Sequence, residues 1–155
     1  MLYLILKAIH VLSIVVWVGG MVFSHFFLRP ALAPLEPAVR LRLMHDVLGR
    51  FFATVLVASL TALATGLWMI GRVAKATVQG GGTFTMPLDW WVMLVLGVLM
   101  VLIFMHIRFA LFKRLRTAVQ ASNWPAGADA MVQVRKWVAV NMGIGLFIIA
   151  FTLAY

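Results

Sequence analysis

The stretch that decides the fold is Leu2–Leu28, LYLILKAIHVLSIVVWVGGMVFSHFFL. It is apolar almost throughout, and it exceeds the ~20 residues needed to cross a bilayer core as a helix. It is too long for the apolar region of a secretory signal, has no basic leader, and lacks a clean small-x-small cleavage site. It therefore reads as a retained transmembrane helix. Three further runs have the same character: Phe51–Ile70, Leu88–Phe112 and Trp137–Ala154. Lipid offers the backbone no hydrogen bonds, so each must be a helix. The expected architecture is all-α, a single four-helix transmembrane bundle spanning 1–155, with helices at about 2–28, 51–70, 88–112 and 137–154.

Composition agrees. The chain is 65% hydrophobic and 11% charged, against about half and a quarter in ordinary soluble domains. A core of this size cannot hide that much apolar surface, so lipid is the solvent and the first partner. There are no cysteines, which excludes disulfides, thiolate metal sites and cysteine nucleophiles. The net charge of +9 comes from residues beside the apolar runs. That is a topology pattern, and nucleic acid is not an expected partner.

Ten basic residues fall on one side: Arg29, Arg40, Arg42, Arg50, Arg108, Lys113, Arg114, Arg116, Arg135 and Lys136. Three fall on the other: Lys7, Arg72 and Lys75. The positive-inside rule puts the first and third connections in the cytoplasm and both termini outside. The expected location is a bacterial-type inner membrane, multi-pass, with the termini in the periplasm. The first connection contains Pro30, Pro34 and Pro37. After Pro37, Val39, Leu43, Val47 and Phe51 share a helical face with Arg40 and Arg42 off it, which predicts a short interfacial helix at about 38–50. Gly80-Gly81-Gly82 marks Gly71–Pro87 as a flexible loop, and Asn123-Trp124-Pro125-Ala126-Gly127 breaks the third connection.

Polar residues inside a membrane are expensive and point to function. On helix 1, with His10 at zero, Trp17 falls at about −20°, Met21 at about +20°, Ser24 at about −40° and His25 at about +60°. This stripe is expected to face the bundle interior. His106 lies near the end of helix 3, and His45 just before helix 2. Imidazoles from facing helices can hold haem or a metal ion. By depth, His25 and His106 match, whereas His10 and His106 differ by roughly 15 Å in upright helices. His45 could join the cytoplasmic cluster. Arg29, Arg50 and Arg108 lie near the same ends and could bind haem propionates through paired bonds. Met21 one turn from His25, Met105 beside His106, and Met93 with Met100 on one face raise Cu(I) instead. Thr54, Ala58, Thr61 and Thr65 form a small-residue stripe, and Asn141 lies near Gly143 and Gly145; both features suit close helix packing. No phosphate loop, nucleotide fingerprint or Ser-His-Asp pattern occurs, so no catalytic residue is identifiable.

Leu6-Lys7-Ala8-Ile9-His10, followed by Trp17 and Gly20, resembles the opening of the CopD-like and HemJ-like four-helix membrane proteins. Arg50 ahead of a helix ending in Thr65-Gly66, His106 followed by Lys113-Arg114-Leu115-Arg116, and Trp137 through Asn141 continue the resemblance. It implies either haem b, with a redox or electron-transfer role, or copper resistance or uptake using His and Met ligands. His10 and His106 match histidine positions of that family. The resemblance thus favours His10 as the partner of His106, and depth favours His25. A quinone or another redox partner would serve the haem reading, in which the chain could be a membrane oxidoreductase. A structural subunit without cofactor is the third reading. A homodimer is an expected assembly because four short helices bury little.

Overall fold

The computed structural model describes residues 1–155 as four long helices with no strands. They are α1 Leu2–Leu32, α2 Pro37–Gln79, α3 Leu88–Gln120 and α4 Trp124–Ala154, each long and apolar enough to cross a membrane. α1 packs most extensively on α2, and α3 on α4, while α4 also touches α1 and α2. α1 and α3 meet through side chains, with Trp17 edge-on to Phe104 at 6.0 Å between ring centroids.

Every helix is longer than expected, α4 by an earlier start and the others by later ends or both. The bilayer requires an apolar span, but an amphipathic extension can continue the same helix by burying one stripe. α2 is 43 residues long, about 65 Å at ~1.5 Å per residue, so it projects well beyond an apolar layer of ~30 Å. The interfacial helix expected at 38–50 is its first four turns or so. Their buried stripe is Leu41, Met44 and Leu48, while Val39, Leu43 and Val47 are exposed. Both stripes have helical spacing. Packing against α4 decides between them, with Gly127 letting Leu41 approach closely. On α3, Phe112, Leu115 and Ala118 are buried, while Lys113, Arg114 and Arg116 stay exposed. The linker to α4 is short, and the Asn123 side chain caps α4 by accepting from Ala126 N at 3.2 Å. At the opposite end, α2 ends at Gly80, and Gly81 turns the chain at φ 81°.

Two π-helical turns interrupt the regular winding, at Ser24–Leu28 in α1 and Ile107–Leu111 in α3. The first has a local cause. Pro30 has no N–H to return to Phe26, and its ring crowds that carbonyl; the wider turn just before it absorbs the strain, so the helix continues. Nothing in the local sequence explains the second.

The core is one cluster running through all four helices, including Trp17, Met21, Met44, Phe52, Met100, Phe104 and Met142. Of the buried polar side chains, Ser59 and Thr65 donate to carbonyls of their own helix. Asn141, only 1% exposed, finds no partner among protein groups for its amide nitrogen or oxygen. Its amide makes no bond to a neighbouring helix. Asn141→Leu is therefore expected to leave the isolated protein as stable or up to about 2 kcal/mol more stable, since an unpaired buried amide is replaced by an apolar group of similar size. Thermal unfolding in detergent micelles checks this, and a clear drop in midpoint would contradict it.

Candidate functional site

The four histidines occupy four different settings. His10 ties α1 to α2: its Nδ1–H donates to the Ala62 carbonyl at 2.8 Å and reaches the Thr65 hydroxyl at 3.2 Å. Thr65 spends its own proton on the Thr61 carbonyl, so it can only accept there. That bonding fixes the tautomer and leaves the His10 Nε2 lone pair free. Gly66 makes room, since a Cβ there would stand 3.2 Å from the ring.

The other three lie toward the basic end. His45 stacks on Phe112 at 5.3 Å between centroids, and its Nδ1 meets the Asp46 carboxylate at 3.2 Å. Its Nε2 is buried without a partner. His106 is exposed and meets the Trp137 ring edge-on at 5.6 Å. His25 is half-buried and lines a cleft between α1, α2 and α4.

Depth reasoning placed His25 and His106 at one level, and their α4 neighbours agree: Val134, Arg135 and Val138 for His25, Trp137 for His106. Those neighbours lie on different sides of α4, so the two imidazoles do not share a site. No group of three or more His, Asp or Glu side chains is placed to hold a metal ion. The cleft at His25 is narrow, with an internal volume of about 20 Å³. A wider groove of about 610 Å³ runs along the outer face of α1 and α2, and no histidine lines it. Neither opening is lined by two histidines.

At the His25 cleft an imidazole and two thioethers come together from three helices. Its walls are Ser24, His25 and Arg29 from α1, Met44 and Leu48 from α2, and Met131, Val134, Arg135 and Val138 from α4. The helix 1 stripe of His10, Trp17, Met21, Ser24 and His25 does turn inward. Trp17 and Met21 are buried, and the last two residues open into the cleft. Of the arginines singled out for propionates, only Arg29 is here. Arg50 is exposed. Arg108 lies over Phe109 and Phe112, at 5.7 and 5.5 Å from their centroids, with a buried Nε that has no partner.

The sequence reading missed Met44, Met131 and Arg135 as site residues. The first two lie in segments taken for connections, and Arg135 was counted only toward topology. The usable signal was the Leu41, Met44, Leu48 spacing, which continues into Phe52 and Val55 of the apolar run.

A protein-family profile described as CopD, Copper resistance protein D, matches residues 45–155. The chain belongs to the CopD family. No curated protein and no solved structure matches it. The CopD match covers most of α2 and all of α3 and α4, with His45, Met100, His106, Met131, Arg135 and Asn141. His10, His25 and Arg29 stand on α1, ahead of the matched segment. This CopD-family chain is thus a multi-pass membrane protein of a copper resistance family.

Proposed function

We propose that this CopD-family protein handles copper in the membrane as Cu(I), with His25, Met44 and Met131 as the ligands. One observation carries the reading: an imidazole and two thioethers from three helices line one cleft. Thioether and imidazole suit Cu(I), and no hard carboxylate stands among them to favour Mg²⁺ or Ca²⁺. Buried methionines continue inward from the cleft. Met21, Met100 and Met142 belong to the same core, and Met100 lies against Gly145 at the level of Val18. They supply soft donors along the bundle interior for an ion that would find no water there. The charge distribution supports an orientation with the basic end, and so the cleft, in the cytoplasm.

The test is anaerobic titration of the detergent-purified protein with Cu(I) against a chromophoric chelator, together with an absorption spectrum. The expected result is one Cu(I) per chain in a protein without a Soret band. A protein purified with haem, or one that takes no Cu(I) from the chelator, would overturn the assignment.

A further inference from the structure

The cleft contains more positive charge than a copper site needs. Arg29 and Arg135 both line it, one from α1 and one from α4, close enough to feel each other's charge. The chain has four carboxylates, and the sole contact of any of them with a base is Asp46 with His45. Neither arginine has an acidic partner, and both are half-buried. Ser24 and His25, which can also donate, border the same space. Two like charges held together in a partly apolar setting are costly unless an anion completes them.

We propose that Ser24, His25, Arg29 and Arg135 form a binding site for a phosphate group. A planar guanidinium donates two parallel bonds to phosphate oxygens, and two guanidiniums from different helices can clamp one group. The hydroxyl and the imidazole N–H supply further donors. Leu48, Val134 and Val138 form an apolar floor, so a free, fully hydrated anion gains less here than the headgroup of an anionic phospholipid, whose chains lie alongside the helices. Basic pockets between helices at the inner leaflet suit such headgroups. The site stands independently of copper. If both readings hold, the bound phosphate removes the repulsion that the two arginines would exert on Cu(I) at His25.

The experiment is a thermal unfolding titration of the copper-free full chain in maltoside micelles. The additives are phosphatidylglycerol, phosphatidylcholine, and inorganic phosphate at constant ionic strength. Phosphatidylglycerol should raise the unfolding midpoint. The concentration giving half of that shift should rise about tenfold or more in Arg135→Gln, as expected for losing a charge-assisted contact. The control Arg72→Gln, at the opposite end, should behave as wild type. An equal rise with inorganic phosphate would support the site with a free anion as its source. Equal shifts with phosphatidylcholine, or an unchanged titration in Arg135→Gln, would overturn it. Should Arg135→Gln fail to fold, native mass spectrometry of Arg135→Lys decides. That variant retains charge but loses the paired bonds, so it should carry less co-purified anionic lipid than wild type, and equal retention would overturn the proposal.

Discussion

Gly20→Val is expected to destabilise the bundle by about 3 kcal/mol, the upper end of ordinary overpacking costs. A Cβ at Gly20 would stand 2.7 Å from Cζ of Phe51 and closer still to its Cε2. Among the chain's glycines, this is where an added Cβ would meet its nearest neighbour, on the seam where α1 packs along α2. Replacing a helical glycine normally helps the helix by up to ~1 kcal/mol, so the net loss understates the clash. Valine adds two methyl groups that cannot all turn away from the ring. The measurement is unfolding in mixed micelles, run as a cycle with Phe51→Ala. Removing the ring makes room, so the double variant should recover part of the loss, with a coupling energy of at least about 1 kcal/mol. If Gly20→Val unfolds like wild type, Phe51 swings freely into lipid and the close approach is not required.

The triple variant His25→Ala, Met44→Leu, Met131→Leu is expected to lose at least about a hundredfold in Cu(I) affinity. Outer-shell changes alone typically cost 10–100-fold at metal sites, and here the ligands themselves are removed. The methionine changes nearly conserve volume, so each should cost under about 1.5 kcal/mol of stability. Met44 is buried and leucine can fill its place, which keeps loss of binding separate from loss of fold. Competition against a Cu(I) chelator reads the affinity. Met105→Leu, beside the exposed His106, serves as the control and should bind as wild type. Unchanged affinity in the triple variant would move copper to other ligands.

The four spans were legible because hydropathy is a property of composition, and composition survives any detail of packing. The inward stripe of α1 was legible for a related reason: Trp17, Met21 and His25 differ from a background of Val, Ile and Leu. The helix ends were not legible. Past the bilayer a helix needs only one apolar stripe, and Pro37–Arg50 offers two, at Val39, Leu43 and Val47 and at Leu41, Met44 and Leu48. The arrival of α4 and of Phe112 from α3 selects between them. The placing of the histidines around the bundle was not legible for a different reason. Depth follows from counting residues, but the azimuth around α4 that separates His25 from His106 depends on tertiary packing.

The π-helical turn at Ser24–Leu28 acts as a one-residue insertion. In an uninterrupted helix Arg29 would lie at about 100° from His10; one extra residue in the turn returns it to about 0°, in line with His10 and near Trp17. The extra residue thus sets the azimuth at which the arginine meets the bundle. Deleting a single residue from this turn would leave length, hydropathy and every named side chain almost intact, yet would rotate the basic tip of α1 by about 100° about its axis. Length across this turn is therefore as constrained as the identity of Arg29 itself.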